Sequence, residues 1–233
     1  EWDAERRDRV ATVINTGGGG IEQVTMGSDA FREKGGRFVS AFAIPALSPS
    51  MGACLVSMKY GLTGPAITQA AACATGVLAF QDALRLIRSG EADIVIAGGV
   101  EAPLLPMAFA ALGNMGALSK RNSEPTLASR PFDKNRDGFL FGEGGAVFVV
   151  ESLAHAKARN ATIRAELLGA GATADAYHIS APEPTGRGAA ASMAKAIKDG
   201  GAQVTDISYI VAHGTSTPLN DLTETKAIKR ALG

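Results

Sequence analysis

The sequence contains few residues of the kinds that build metal sites and disulfide frameworks. Among 233 residues it has two cysteines, Cys54 and Cys73, and three histidines, His155, His178 and His213, all far apart. Their spacing matches no zinc-ligand pattern and no disulfide framework. We therefore expect no metal site, and the cysteine usage does not require an oxidising compartment.

The sequence also lacks an excess of either charge and any long apolar run. Lys and Arg together number 23 and balance 23 Asp and Glu, without a basic block of the kind that binds nucleic acid. The longest apolar stretch, 102–113, contains two prolines and is too short to cross a bilayer, and the charged first residues do not form a signal peptide. These absences predict a soluble cytoplasmic protein without a nucleic-acid or membrane partner.

What the sequence has in quantity is glycine, with 28 residues, and alternating strand-like and helix-like segments. This alternation predicts an α/β protein with a mostly buried sheet. The strand-helix-strand order restarts near Asn160, which divides the chain into one half at 1–160 and the beginning of a second at 161–233. We expect strands at 10–15, 65–72, 94–97, 146–150, 163–171 and 207–212, and helices at 21–35, 51–60, 106–112, 151–159, 188–200 and 221–232, besides a helix directly after Cys73.

Cys73 stands at the predicted junction of a strand and a helix. The helix is predicted from an apolar stripe at three- and four-residue spacing. Val77, Phe80, Leu84 and Ile87 lie on the stripe, and Gln81, Asp82, Arg85 and Arg88 lie off it. A thiol at a helix N-terminus is favoured as the nucleophilic thiolate by the helix dipole and by unsatisfied N–H groups. Cys73 is therefore either a nucleophile, with backbone N–H groups available to an oxyanion, or a buried structural cysteine.

Two other stretches resemble ligand-binding loops without matching their motifs. The glycine run 16–20 follows a strand but fits no phosphate-binding consensus, which favours a tight turn or a close backbone approach. The run 133–138 imitates a calcium loop, but its acid Glu143 comes one residue before the position that such a loop requires. We expect a turn at the first stretch and a surface loop, 119–136, at the second.

A second candidate site begins where another predicted strand ends. His213 is followed by the hydroxylated residues Thr215 and Thr217, and Glu224 lies one turn into the final helix. A histidine in this position is either a hydrogen-bonded core or rim residue or a catalytic one. Because ligands of α/β sheets gather at the carboxyl ends of strands, Cys73 and His213 together indicate acyl transfer. The thiolate would take the acyl group and the imidazole would handle protons or charge.

Four motifs occur in order along the chain. They are Ala-Cys73-Ala-Thr-Gly, Arg-Pro-Phe-Asp-Lys-Asn-Arg-Asp-Gly-Phe139, Gly-Glu143-Gly and His213-Gly-Thr-Ser-Thr-Pro-Leu-Asn-Asp221. With these motifs the chain resembles the β-ketoacyl-[acyl-carrier-protein] synthases, closest to the type II enzyme of fatty acid synthesis. The resemblance implies a thiolase-like fold, in which two similar α/β halves stack as αβαβα layers, and a homodimer. It also implies no cofactor, because the substrates are carried on the phosphopantetheine of acyl-carrier protein, which is the expected partner.

The resemblance implies a role for each matching position. Cys73 would accept the acyl chain as a thioester, and its N–H would form half of the oxyanion hole. His213 would assist the decarboxylation of malonyl-[acyl-carrier protein] and stabilise the enolate that attacks the acyl-Cys73 thioester. The supporting positions would be Thr215, Thr217 and Ser180 on the pantetheine arm, Glu224 beside an active-site lysine, and Asp175, an acid that recurs in the family without an assigned role.

The sequence departs from the family pattern at both ends. Family chains have a strand and a helix that would precede Glu1, while the catalytic lysine, the second histidine and a glycine-phenylalanine loop would follow Gly233. We therefore expect an internal fragment of an acyltransferase with little or no condensing activity alone. Two alternatives stay open. One is a polyketide ketosynthase, which more often carries Asp-Thr-Ala-Cys-Ser-Ser, and the other is a non-catalytic chain-length-factor-like partner, which usually lacks the nucleophile.

Overall fold

The computed structural model describes residues 3–233, which form two compact units. Unit 1 consists of the residues up to 103 together with 143–167, and unit 2 consists of 104–142 together with 168–233. The chain passes between the units at 103–104, 142–143 and 167–168. The predicted division into 1–160 and 161–233 concerns a repeat of strand order rather than these compact units, and it stays a prediction.

The helices and strands alternate along most of the chain. In order they are α1 (Ala4–Asp8), β1 (Val10–Asn15), α2 (Ile21–Lys34), α3 (Ala43–Leu47), α4 (Met51–Tyr60), β2 (Ala66–Ile67), α5 (Thr75–Arg88), β3 (Ile94–Glu101), α6 (Pro106–Asn114), β4 (Gly144–Glu151), α7 (Leu153–Ala158), α8 (Arg187–Asp199) and α9 (Pro218–Leu232). Between residues 3 and 233 no helix is both long enough and apolar enough to span a bilayer.

Unit 1 is built on a four-stranded sheet with the order β2-β1-β3-β4. Strand β1 is parallel to β2 and β3, and β4 is antiparallel to β3 at one edge. Every residue of β1 is buried, as expected for a central parallel strand, whereas β4 is exposed over most of its length. Strand β2 is shorter than the predicted 65–72, because beyond Ile67 the backbone is hydrogen-bonded to a side chain of β1. The backbone N–H of Gln69 donates to Asn15 Oδ1 at 2.8 Å.

Helix α5 covers the sheet with small residues as well as with part of the predicted apolar stripe, since Leu84 is buried and Ile87 packs against the core. Ala79 is fully buried against the sheet, whereas Val77, which the pattern places on the stripe, is 72% exposed. The prediction is also wrong at Asp82, which is buried. The reason is the close approach of helix and sheet, since a Cβ added to Gly99 of β3 would lie 2.8 Å from the Gly76 Cα of α5.

Unit 2 contains α6, α8 and α9, and the last two helices pack against each other. The strands predicted at 163–171 and 207–212 are wrong, because within residues 3–233 neither run joins a β-ladder. Hydrogen bonds to a neighbouring strand are what hold a strand in place. Without them the side chains of the second run stay in solvent, where Tyr209 is 81% and Val211 is 85% exposed.

Candidate active site

Cys73 is exposed and lies in a single 3-10 turn, Ala72–Ala74, just before α5. The helix begins at Thr75 rather than directly after the thiol, and the exposure does not fit a buried structural cysteine. The preceding residue, Ala72, has φ +47°, a left-handed conformation that is unfavourable for a residue with a Cβ. Such strain is concentrated at functional sites. The thiol stands at the end of α5 whose dipole favours negative charge.

A buried asparagine at the end of β1 fixes the turn that carries Cys73. Asn15 is fully buried, its Nδ2 donates to the carbonyl of Thr75 at 3.0 Å, and its Oδ1 accepts from Gln69. The Thr75 hydroxyl accepts from the backbone N–H of Ala71 at 2.8 Å. The chain is thus held on both sides of the cysteine by side chains that belong to the sheet and to α5.

The glycine turn after β1 binds a carboxylate of the protein itself. Glu101, at the end of β3, accepts from the Thr16 hydroxyl at 2.8 Å, from the Gly17 N–H at 2.9 Å and from the Gly18 N–H at 3.1 Å. Consecutive N–H groups of this kind form an anion-binding concavity. The predicted tight turn with close backbone approach is confirmed, because Gly19 has φ +55° and a Cβ on Gly20 would lie 1.9 Å from the carbonyl oxygen of Ala46.

His213 lies in unit 2 on an exposed loop before α9. Its backbone N–H donates to Glu224 Oε1 at 2.6 Å, and the N–H of Gly214 donates to Glu224 Oε2 at 2.8 Å. Both oxygens of one carboxylate on α9 therefore hold the backbone at the histidine. In the structure Glu224 therefore supports the histidine loop. The role beside an active-site lysine, which the family resemblance implies, stays a prediction.

The two threonines of this loop contact each other. The hydroxyls of Thr215 and Thr217 are 2.8 Å apart, and the Thr217 side chain also accepts from the Asn220 N–H at 3.3 Å as the N-cap of α9. A threonine at an N-cap satisfies one of the free N–H groups of the first helical turn. Thr217 thus orders the start of α9, and both hydroxyls remain half-buried at the loop surface.

The two remaining predicted residues lie in the segment before α8. Asp175 accepts from the Glu183 N–H at 3.0 Å, and a Cβ on Gly188 would lie only 2.0 Å from its Oδ1. Asp175 therefore ties this segment to the first turn of α8. Ser180 is exposed, and its N–H donates to His178 Nδ1 at 3.1 Å. Cys73 belongs to unit 1, and the other predicted residues belong to unit 2.

Sequence reasoning missed the residues that support these loops. Asn15, Glu101 and Asp221 are each separated by 54 or more positions from a partner that they hold. Of these three residues, only Asp221 belongs to a motif found in the sequence, and the motif did not indicate what Asp221 does. Within residues 3–233 no group of three His, Cys, Asp or Glu side chains is arranged to hold a metal ion.

The sequence matches two family models that together cover almost all of it. These are the N-terminal domain of β-ketoacyl synthase over residues 2–156 and the C-terminal domain over residues 164–233. The chain is 45% identical, over its whole length, to 3-oxoacyl-[acyl-carrier-protein] synthase 2 of Vibrio cholerae, and it covers 56% of that protein. It is 46% identical over 226 residues to the synthase 2 of Synechocystis, of which it covers 54%. The chain therefore spans about half the length of the curated relatives that it matches.

Solved structures resemble the fold over the full chain. A type II polyketide ketosynthase bound to its acyl-carrier protein matches with a TM-score of 0.92 at 33% identity, covering 100% of this chain and 59% of that one. A β-ketoacyl synthase from Burkholderia phymatum also matches with a TM-score of 0.92, at 34% identity, covering 99% of this chain and 56% of that one. The ishigamide ketosynthase/chain length factor matches at 0.88 and 33% identity, covering 97% of this chain and 54% of that one.

Proposed function

The chain belongs to the β-ketoacyl synthase family, and we propose that it serves the reaction of a 3-oxoacyl-[acyl-carrier-protein] synthase in fatty acid elongation. The observation that carries the proposal is the exposed Cys73 on a strained turn before α5, in a chain 45% identical throughout to a synthase of that name. The reaction is a decarboxylative Claisen condensation, catalysed by an acyltransferase with a covalent intermediate.

The first step uses unit 1. The thiolate of Cys73 attacks the thioester carbonyl of an acyl-[acyl-carrier protein], the carrier thiolate leaves, and the acyl group stays on sulfur as a new thioester. The small residues Ala72, Ala74 and Gly76 leave room for the carbonyl, and the Cys73 N–H supplies half of the oxyanion hole. The N-terminal end of α5 favours the anion that develops there.

The second step uses His213. Malonyl-[acyl-carrier protein] loses CO₂, and the resulting enolate attacks the acyl-Cys73 carbonyl, which forms a carbon–carbon bond and releases the cysteine thiolate. His213 stabilises the enolate oxygen, and Thr215 and Thr217 bind the amide-bearing pantetheine arm, with Ser180 as a further contact. Glu224 holds the histidine loop through two backbone hydrogen bonds. A side chain whose backbone is fixed in this way is oriented before the substrate arrives.

The expected partner is acyl-carrier protein, which one structural neighbour binds in its solved complex. Because the carrier's phosphopantetheine holds both substrates, the reaction needs no bound cofactor. A net charge of zero and the absence of a bilayer-spanning helix among residues 3–233 support a cytoplasmic protein that binds neither nucleic acid nor membrane.

We propose a homodimer that forms through the exposed apolar side chains of α2 to α4. Phe31 is 62%, Phe42 75% and Ile44 75% exposed in unit 1, and Phe31 and Ile44 line an apolar cavity of about 320 Å³. Contiguous apolar surface of this kind marks protein interfaces. A second copy is the proposed occupant, because the resemblance to β-ketoacyl synthases implies a homodimer; a neighbour of the same fold, a ketosynthase, is solved together with a chain length factor.

A polyketide ketosynthase is the second candidate, since a structural neighbour with a TM-score of 0.92 is a type II polyketide ketosynthase. Its identity of 33% is lower than the 44% to 46% shared with the fatty acid enzymes, which favours fatty acid elongation. A chain-length-factor-like role is disfavoured by the presence of Cys73 and His213.

Mass spectrometry after incubation with cerulenin tests the nucleophile. We expect a single modification at Cys73, in the chain alone and in the full-length protein, with Cys54 on α4 as the internal control thiol. Modification of Cys54 instead, or of neither cysteine, would exclude Cys73 as the nucleophile. Labelling of the full-length protein alone would show that activation of Cys73 depends on residues outside this chain.

An assay of the full-length protein with acyl- and malonyl-[acyl-carrier protein] tests the reaction. The expected result is a 3-oxoacyl product with carbon dioxide release, and loss of the 3-oxoacyl product in the Cys73→Ser variant. Acylation of Cys73 without condensation would instead indicate a different acyltransferase.

A further inference from the structure

The segment 130–138 is a motif without a function in the reaction above. In the structure it packs on the loop that follows His213, within unit 2. The N–H of Arg130 donates to the hydroxyl of Ser216 at 3.0 Å, and the N–H of Gly138 donates to the carbonyl of Ser216 at 3.0 Å. Ser216 itself is fully buried. The two motifs therefore form one structural element, although 86 positions separate Arg130 from Ser216.

Asp221 joins the two motifs through a buried carboxylate. It is only 1% exposed, and it accepts from the Phe132 N–H at 2.8 Å and from the Ser216 N–H at 3.2 Å. Arg136 pairs with it at 3.2 Å, from Nε to Oδ2. A buried carboxylate is tolerated only when it is paired and hydrogen-bonded, as it is here.

Arg136 also binds the backbone of the histidine loop directly. Its Nε donates to the carbonyl of Thr217 at 3.1 Å, and its Nη2 donates to the carbonyl of Pro218 at 2.9 Å. The planar guanidinium can donate hydrogen bonds to these two carbonyls and to a carboxylate at the same time. A lysine ammonium group cannot reproduce this geometry, because its donors lie on a single nitrogen.

The loop that is held in this way has a strained backbone. Gly214 has φ +50° and Ser216 has φ +66°, both in the left-handed region. Serine adopts that region at a cost, and such conformations persist only where the surroundings impose them. The three hydrogen bonds to the backbone and hydroxyl of Ser216 are the contacts that impose it.

The carboxylate of Asp221 is connected to the support of His213. The side-chain Nδ2 of Asn220 donates to Asp221 Oδ1 at 3.2 Å and to Glu224 Oε2 at 3.4 Å. Glu224 in turn accepts from the His213 N–H. A continuous set of contacts therefore runs from Arg136 to the backbone of the histidine.

We propose that the segment 130–138 is a clamp that sets the position of His213, with Asp221 and Arg136 as positioning residues that act through the histidine loop. The inference rests on the proposed function and assigns a purpose to a motif that the reaction does not otherwise use. The clamp acts on the decarboxylation step, in which His213 takes part, and not on the transfer of the acyl group to Cys73.

One of the two acids of the segment, Asp137, supports the clamp. Asp137 accepts from the Ser119 hydroxyl at 2.7 Å, from the Lys120 N–H at 3.0 Å and from Arg130 Nη2 at 2.9 Å. These donors, the Ser119 hydroxyl first, hold the pKa of Asp137 below its ordinary value. Arg130 Nε also donates to the carbonyl of Asn135 within the segment, and its Nη1 donates to the carbonyl of Leu127 just before it, each at 3.0 Å, so that Arg130 braces the clamp.

The test compares two reactions of the full-length protein in three variants. Acylation of Cys73 by acyl-[acyl-carrier protein] is followed by mass spectrometry, and decarboxylation of malonyl-[acyl-carrier protein] is followed by carbon dioxide release. Asp221→Asn and Arg136→Lys should lower decarboxylation at least about tenfold while acylation stays within about twofold, because a small displacement of a catalytic group suffices for such a loss. Lys134→Ala, on an exposed residue of the same segment, should leave both rates unchanged.

A double-mutant cycle with His213→Ala separates positioning from general destabilisation. If Asp221 acts through His213, Asp221→Asn should have no further effect once the imidazole is gone. An equal loss with and without His213, or a parallel loss of acylation and decarboxylation in both clamp variants, would overturn the clamp. A wild-type protein that does not decarboxylate malonyl-[acyl-carrier protein] would overturn the proposed function itself.

Discussion

At the scale of single residues, two buried or half-buried carboxylates hold the glycine turn after β1 and the loop that follows His213. Glu101 occupies the glycine turn after β1, and Asp221 occupies the centre of the histidine loop. Each accepts hydrogen bonds from backbone N–H groups that would otherwise bind water. The charge of these groups is thus used for local architecture, and their loss should affect the loops first.

Replacing Glu101 with glutamine tests the glycine turn. The amide retains the shape but loses the charge and one acceptor, so at least one of the three donors in the turn is left without its partner. We expect the free energy of unfolding to fall by about 1–2 kcal/mol. Urea denaturation of the two proteins measures the difference. Glu33→Gln, at an exposed residue of α2, should change stability by less than about 0.5 kcal/mol, and an equally small effect at Glu101 would show that the turn holds itself.

Ionisation of Asp82 should lower the free energy of unfolding as the pH rises, whereas ionisation of most carboxyls raises it. Burial raises its pKa, against the lowering effects of Arg85 and of the hydrogen bond from Gln69. The folded protein therefore binds this proton more tightly than the unfolded chain, and the cost of the charge is present at neutral pH and disappears as the pH falls through the folded pKa. Asp82→Asn should raise stability at pH 7, and the gain should disappear as the pH falls through the folded pKa of Asp82.

Denaturation curves at pH 7 and pH 3.5 measure this difference. Asp29→Asn, at an exposed residue of α2, is the matched control and should show no pH-dependent gain. A loss of stability in Asp82→Asn at pH 7 would mean that the bonds to Gln69 and Arg85 outweigh the burial of the charge.

The residues that could be predicted are those whose chemistry is local. Cys73 and His213 were found because each follows an apolar run and is surrounded by small or hydroxylated neighbours, and their catalytic roles stay predictions. Asn15, Glu101 and Asp221 could not be found in this way, because each acts on a segment 54 to 89 positions away. Their side chains have no distinctive neighbours in sequence, and only the folded chain brings their partners to them.

At the scale of elements, length and type were predictable where hydrophobic runs are continuous or end in clear stop signals. The predicted limits of β1 and α4 are confirmed, and α2, α6, α8 and α9 agree with the prediction to within a few residues. The apolar stripe predicted only part of the face of α5 that packs on the sheet: Leu84 and Ile87 pack as expected, but Val77 is exposed and the buried Ala79 was not predicted. Close packing through Gly76 and Gly99 selects small residues for the interface, and this requirement follows from the sheet rather than from the helix.

The close approach of α5 to β3 makes Gly99→Ala a sensitive substitution. The new Cβ would lie 2.8 Å from the Gly76 backbone, which cannot move without displacing the first turn of α5. We expect a destabilisation of about 1–3 kcal/mol and a change in the rate at which iodoacetamide labels Cys73. Gly113→Ala in α6 is the control, since a Cβ there meets nothing within 4 Å and should stabilise that helix by up to about 1 kcal/mol.

At the scale of the whole molecule, the thiolase-like α/β fold predicted from the motifs is confirmed by solved ketosynthases with TM-scores of 0.92. The strands predicted at 163–171 and 207–212 were wrong because a strand depends on its neighbours, and an apolar run alone does not supply them. It was likewise not predictable that each compact unit is formed from two separate segments. Nothing in the sequence of 104–142 indicates that it packs with 168–233 rather than with the segments adjacent to it in sequence.

Acid should destabilise both units. Hydrogen bonds from Arg9 lower the pKa of Asp93, and hydrogen bonds from Arg159 lower the pKa of Glu151 in unit 1, while the side-chain bond from Thr185 lowers that of Glu183 in unit 2. A lowered folded pKa contributes stability that is complete above the unfolded value and is lost as the pH falls through the folded one. The free energy of unfolding should therefore decrease below about pH 4.5 and continue to decrease toward pH 2.

Urea denaturation between pH 7 and pH 2 measures this decrease. Glu151→Gln should be less stable than wild type at pH 7 and should show a smaller decrease, because one of the shifted groups is gone. A wild-type stability that stays constant from pH 5 to pH 2 would contradict the assignment of these ion pairs.

The anchoring of segment 130–138 on Asp221 also has a consequence for synthesis on the ribosome. The N–H of Phe132 and the carboxylate that accepts its hydrogen bond are 89 residues apart in sequence. At a translation rate of about 5–20 residues per second, the segment emerges roughly 4–18 seconds before its anchor is made. During that interval the segment lacks the carboxylate that holds it, so it cannot yet take the position that it has in the folded chain.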